Sequence, residues 1–160
     1  MIRPAVPADL TTLLPLYDDA RAFMAAHGNP TQWKHSPTKE MLEADIAHGD
    51  LYVIEENGAI EGVFACILGE DPTYQVIENG AWLDASPYAT LHRVAAAKGC
   101  HGVFQRAVAF AETLCPHLRV DTHRDNLPMQ HSILKQGFQY CGVIHIADGS
   151  ARLAYEKVIK

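Results

Sequence analysis

The chain has 160 residues, 48% hydrophobic and 20% charged, with thirteen Lys and Arg against nineteen Asp and Glu and a formal net charge of −6. That length suits one domain, which can bury roughly 68–70% of its unfolded surface. No apolar run reaches the roughly 20 residues of a membrane span, and Met1-Ile2-Arg3-Pro4 lacks the apolar stretch of a secretory signal. The acidic balance argues against nucleic-acid binding, which needs a basic stripe, and no membrane contact is expected. It fits a cytoplasmic protein with a cationic small-molecule ligand. Cys66, Cys100, Cys115 and Cys141 form no CxxC pair and read as reduced, small core residues. Nine histidines show no HExxH and no zinc-type grouping, so no metal is expected.

Ile2 to Val6 predicts a first strand. Asp9 is placed to cap a helix from Leu10 to Ala26, with Leu10, Leu13, Leu14, Tyr17 and Met24 on one broad apolar face, Pro15 kinking it or shifting its start, and Gly28 and Pro30 ending it. Ser36 and Pro37 open a second helix, in which Met41, Leu42 and Ile46 recur at helical spacing until Gly49. The period then changes to strands at Leu51–Ile54 and Ile60–Leu68, joined through Asn57-Gly58, a turn pair that tolerates positive φ. Gly69 to Pro87 is a long polar connection holding Tyr74, Glu78 and Trp82, a length expected of functional segments or of short pieces of structure. Tyr88 to Ala96 predicts a strand that feeds a loop ending at Gly102.

After Gly102, the residues Val103, Phe104, Ala107, Val108, Ala111 and Leu114 share one helical face, and Pro116 closes the helix. A strand at Leu118–Thr122 and a helix at Asn126–Gln136 follow, and then a terminal hairpin of Phe138–Ile146 and Ala151–Val158 around Asp148-Gly149. A strand–helix–strand unit among hairpins implies a mixed sheet with helices on both faces, and a fold class of α/β or α+β in one domain.

A strand running through glycines into a helix presents free backbone N–H groups and a positive dipole end, which suit a diphosphate. Glycines in that position also serve simple packing. The loop is not a P-loop, because no GK[ST] follows, and no strand–GxGxxG unit begins the fold.

Over nearly its whole length the chain resembles the GNAT superfamily of N-acetyltransferases. The resemblance is carried by Ile2-Arg3-Pro4-Ala5 with Ala8-Asp9-Leu10, and by Leu91-His92-Arg93-Val94-Ala95 running into the glycine loop. Asn126, Lys135-Gln136-Gly137-Phe138 and the closing Arg152-Leu153-Ala154-Tyr155-Glu156-Lys157 complete it. Two departures stand out. The loop Ala97-Lys98-Gly99-Cys100-His101-Gly102 lacks the family's leading arginine and carries Cys100 in a glycine position, with Lys98 supplying a charge one residue later. The family's frequent tyrosine, which often protonates the leaving thiolate, aligns with Ile133.

The resemblance implies a mostly antiparallel twisted sheet of about six to seven strands, splayed between two parallel neighbours mapped to Leu91–Ala96 and Leu118–Thr122. It implies acetyl-coenzyme A as co-substrate and a small-molecule or peptide amine as acceptor. Cofactor contacts are then expected from Arg93, Val94 and Ala95 on the strand, from Lys98, Gly99, Cys100, His101 and Gly102 in the loop, from Val103 and Phe104 on the helix, and from Asn126. A backbone N–H near Val94 would polarise the thioester carbonyl.

An ammonium has no lone pair, so a base must remove one proton, and a group titrating near neutrality does this best. The candidates are His123, at a strand end facing the donor, then Glu78, then His92; Asp121 shares a strand face with His123 and could orient it. Tyr140, Ser132 and Cys141 are candidates for the general acid. Asn29, Trp33, Tyr74, Glu78 and Trp82 are expected to line the acceptor pocket, where aromatics with a carboxylate suit an amine. The alternatives are a catalytically silent coenzyme A-binding sensor of the same fold and an unrelated phosphate-ligand domain. The terminal hairpin and exposed apolar helices would permit a homodimer.

Overall fold

The computed structural model describes residues 1–159. Strand β1 (Ile2–Pro4) leads through a short 3-10 turn into helices α1 (Leu10–Ala26) and α2 (Lys39–His48). Strands β2 (Leu51–Glu56), β3 (Ala59–Leu68) and β4 (Ala89–Ala96) follow. Helix α3 (Val103–Leu114), strand β5 (His117–Thr122), helix α4 (Leu127–Lys135) and strands β6 (Gln139–His145) and β7 (Ala151–Val158) complete the chain. One seven-stranded sheet has the order β1-β2-β3-β4-β5-β7-β6, antiparallel everywhere except between β4 and β5. This is the expected mixed α/β architecture.

Alternation along each strand divides the core between the two faces. Phe64, Leu91, Leu118, Val120 and Tyr155 pack against the apolar stripe Val103, Phe104, Ala107, Val108 and Ala111 of α3. On the other face Val53, Val63, Ala65 and Ala95 pack against Leu13, Leu16 and Tyr17 of α1 and Leu42 of α2. Farther along that face, Tyr74 and Tyr88 pack on Ile144 and Ala154, so the long connection covers the half of the sheet that α1 and α2 leave bare. At about 1.5–3 kcal/mol per fully buried large apolar side chain, these contacts hold the layers together.

Local signals work where the chemistry is local. Asn57 (φ 53°) and Gly58 (φ 79°) both take positive φ, the tight turn their pairing requires. Three expectations are corrected. Asp9 does not cap α1, because it lies in the turn Pro7–Asp9 and its carboxylate accepts the Val6 N–H and the Arg3 guanidinium. Thr38, not Ser36, caps α2, its hydroxyl accepting the Met41 N–H at 3.2 Å. Pro15 does not shift the start of α1, which runs from Leu10 through it to Ala26.

Candidate active site

The sheet opens at its centre. β4 and β5 pair only at Ala89 with Leu118 and Thr90 with Arg119; beyond that β5 pairs with β7 alone and β4 with β3 alone. At the opening β4 carries a bulge: Val63 faces Ala95 and Ala65 faces His92, so Phe64 opposes both Arg93 and Val94. Arg93 takes φ 52° there, a conformation that L-residues adopt only when their surroundings impose it. Two helices do so. Tyr17 of α1, fully buried, donates its hydroxyl to the Arg93 carbonyl at 2.7 Å, and Asp45 of α2 takes the guanidinium bidentately at 2.8 and 3.0 Å. A bulge leaves a residue outside the strand ladder and re-aims its backbone, here beside the gap.

A cleft of about 840 Å³ runs from this gap along the loop into α3. Its walls include Val94, Ala95, Lys98, Gly99, Cys100, His101, Gly102, Val103 and Phe104, with Asn29 and Trp33 from the α1–α2 segment and Asn126 and Ser132 at α4. Gly102 (φ 75°) turns the chain into α3, and no side chain caps that helix. Among the described residues, the backbone N–H groups from His101 to Gln105 have no acceptor within the protein. A helix start so arranged is a ready anion site. Asn126 is partly committed: its Oδ1 accepts the Met129 N–H at 3.2 Å and its Nδ2 donates to Gln32 Oε1 at 2.9 Å. Arg93 is absent from the cleft wall, because its side chain is turned to Asp45.

The remaining expected residues lie elsewhere. His123 stands at the end of β5 with both ring nitrogens engaged: Nδ1 accepts the Asp125 N–H at 3.0 Å, so the hydrogen of the neutral ring is on Nε2, which meets Thr31 Oγ1 at 3.0 Å. Burial lowers its pKa, and the Arg152 charge lowers it further. Glu78 is exposed, its backbone paired with Val143 of the edge strand β6 at 2.8 Å in both directions. Tyr140, on the same edge strand, packs edge-on to Tyr155. The structure therefore brings neither Glu78 nor Tyr140 to the cleft. Tyr74 and Trp82 also lie outside its wall: Tyr74 is buried and donates to Asp121 Oδ2 at 2.6 Å, and Trp82 covers the Arg119 guanidinium at 4.0 Å. Asp121 thus serves Tyr74 rather than His123.

His92, two residues before Val94, is held by a residue of the long connection. Its Nε2 meets Asp71 Oδ2 at 2.9 Å, and among the described residues its Nδ1 has no partner. Burial pushes the Asp71 carboxyl up, but hydrogen bonds from His92 and from the hydroxyl and backbone N–H of Thr73 outweigh it and bring the pKa to about 2. The two residues lie on different segments, and nothing in their spacing signals the contact.

No known family profile matches the chain, and no curated protein does. Among solved structures it is similar to a GNAT-family acetyltransferase from Streptococcus agalactiae 2603, with 33% identity and a TM-score of 0.84 over 100% of this chain and 95% of that one. A GNAT-family acetyltransferase from Listeria monocytogenes 4b F2365 gives 23% identity and a TM-score of 0.75 over 99% and 94%. A ribosomal-protein-alanine N-acetyltransferase from Brucella melitensis gives 20% and 0.65 over 99% of each chain. The last two show the shared fold alone. With the splayed sheet, the strained bulge and the uncapped helix start in one cleft, the likeness to the streptococcal protein over the full length places this chain in the GNAT family of acetyltransferases.

Proposed function

We propose that the protein transfers an acetyl group from acetyl-coenzyme A to a primary amine, which attacks directly while both are bound. The observation that carries this is the junction of the β4 bulge, the β4–β5 gap and the acceptor-free N–H groups of residues 101–105 within one cleft. Those features fit the cofactor. The loop N–H groups with Lys98 and His101 suit a diphosphate, and the unpaired edges of the gap suit an extended amide-bearing arm.

When bound, acetyl-coenzyme A supplies a thioester whose acetyl carbon bonds to the amine nitrogen as the carbon–sulfur bond breaks. Val94, turned by the bulge, is assigned to hold the thioester oxygen with its N–H. His92, which is not on the cleft wall but precedes Val94 by two residues on β4, is assigned to accept the proton of the amine at Nδ1 through an intervening water, with Asp71 fixing the ring through Nε2. It suits this better than His123, which would have to surrender the Asp125 N–H to take a proton on Nδ1. Ser132, on the cleft wall one residue before the buried Ile133, is assigned to relay to the leaving sulfur the second proton that the amine nitrogen loses, its hydroxyl taking one proton as it gives one.

Calorimetry with acetyl-coenzyme A, followed by thiol release with a panel of amines, tests the proposal. Binding with amine-dependent release is expected, as is a far larger loss of kcat in His92→Gln than in His123→Gln. Absence of binding by the folded protein would overturn the proposal. Binding without release by any amine would favour the sensor function, which the altered loop and the apolar Ile133 also favour.

A further inference from the structure

The other arginines that are buried or half-buried close on carboxylates: Arg3 on Asp9 and Glu55, Arg21 on Asp18, Arg93 on Asp45, Arg106 on Glu56 and Glu61, and Arg119 on Glu156. Arg152 does not. It is 4% exposed, yet its guanidinium donates only to neutral oxygens: Nη1 to Ser150 Oγ at 3.1 Å and to the Ala151 carbonyl at 2.9 Å, and Nη2 to the Gln32 carbonyl at 3.1 Å. Burial pulls its pKa down against the charges of Asp121 and Asp148. Asp121, however, is turned to the Tyr74 hydroxyl. Among the described residues, Arg152 Nε and one Nη2 hydrogen have no acceptor. Nε is also not among the side-chain atoms sealed from solvent without a partner, which are Asn29 Oδ1 and Thr90 Oγ1. This leaves a planar donor edge of the kind that takes a carboxylate.

The edge lies at the open end of the sheet. Leu153 pairs with Thr122, so Arg152 stands beside His123 where β5 has left β4. Gln32 ties it to the cleft: its carbonyl accepts from Arg152, and its Oε1 accepts from Nδ2 of Asn29 and of Asn126, both on the cleft wall, at 2.9 Å each. The free donor edge of Arg152 matches a ligand carrying a carboxylate, and the acetyl-transfer function requires that the same ligand carry an amine.

We propose that Arg152 binds the carboxylate of the acceptor, so that the amine substrate is a carboxylate-bearing amine of the free amino-acid class. This rests on the assignment of the cleft to acetyl transfer, but binding can be read without turnover. The probes are free amino acids and their C-terminal amides, titrated calorimetrically into the protein saturated with coenzyme A and then assayed for thiol release from acetyl-coenzyme A.

The free acids are expected to bind at least about tenfold more tightly than the matching amides. Arg152→Gln is expected to abolish that preference and Arg152→Lys to retain part of it. Circular dichroism and an acetyl-coenzyme A titration of each variant report whether fold and cofactor cleft are intact, and Arg152→Lys carries the test if Arg152→Gln does not fold. Amides binding as tightly as acids, no binding by any amino acid, or equal weakening of acids and amides in the variants would overturn the proposal. Acid-selective, Arg152-dependent binding without thiol release would uphold it while removing the acetyl-transfer function. Thiol release with no acid preference would do the reverse.

Discussion

Replacing Glu156 by alanine tests how the connection between β3 and β4 is held on the sheet. The Glu156 carboxylate is buried and accepts three hydrogen bonds, from His117 Nε2 at 2.7 Å, Arg119 Nε at 3.0 Å and the Leu83 N–H at 2.7 Å. Truncation leaves the Arg119 guanidinium buried between the Trp82 and Tyr88 rings, with the Asp84 carbonyl at 2.8 Å as its remaining oxygen. Removing one member of a buried ion pair costs about 3–5 kcal/mol, because the other stays behind uncompensated. At about 2–4 °C per kcal/mol for a domain of this size, the melting temperature should fall by roughly 6–20 °C. Urea unfolding followed by circular dichroism should show a lower midpoint at unchanged slope. A double variant, Arg119→Met with Glu156→Met, removes the Arg119 charge with its partner and should recover part of the loss, the rest remaining because His117 Nε2 and the Leu83 N–H still lack their acceptor. A single-variant loss below about 1 kcal/mol would refute the assignment of Glu156 as the anchor of the connection.

Gly62→Ala would place a Cβ 2.7 Å from both methyl carbons of Val103, the first residue of α3. A destabilisation of about 1–3 kcal/mol is expected, with weaker acetyl-coenzyme A binding by calorimetry as the helix start is displaced. Tyr17→Phe removes the hydroxyl that holds the Arg93 carbonyl. It should cost about 0.5–1.5 kcal/mol in urea unfolding and lower kcat more than it raises the KM for acetyl-coenzyme A. The Asp71 carboxyl titrates near 2 in the folded protein, below the roughly 3.9 of an unfolded aspartate, so its contribution is complete above pH about 4 and fades as pH falls towards 2. Acid unfolding of Asp71→Asn should therefore have a shallower slope across that window than the wild type.

How far the sequence reaches depends on the range of the interaction. The apolar stripe of α3, the Asn57-Gly58 turn and the glycine loop involve residues a few positions apart, and each forms as expected except that Leu114, at the end of α3, is exposed rather than buried with the stripe. Asp9 and Ser36 mislead because capping residues compete with neighbours: Asp9 meets Arg3, and Thr38 lies nearer the true start of α2. Among candidate site residues, the loop from Lys98 to Phe104, Asn29, Trp33, Asn126 and Ser132 share one cleft because the splay and the helix start bring them there. Glu78 and Tyr140 looked equally apt as isolated residue types, but they stand on or against the outer strand.

The order of the elements, the periodicity that buries one face of each, and the family likeness of the strand, loop and terminal motifs are all written in short stretches of chain. Tertiary structure alone decided which polar groups are spent and which are free. His92 finds Asp71 across 21 residues, Tyr17 holds Arg93 across 76, and Arg152 reaches the Gln32 carbonyl across 120. Such pairings have no period and no local propensity. They exist only once the packed layers have taken those groups out of water, where each must find a partner within the protein or leave a site for a ligand.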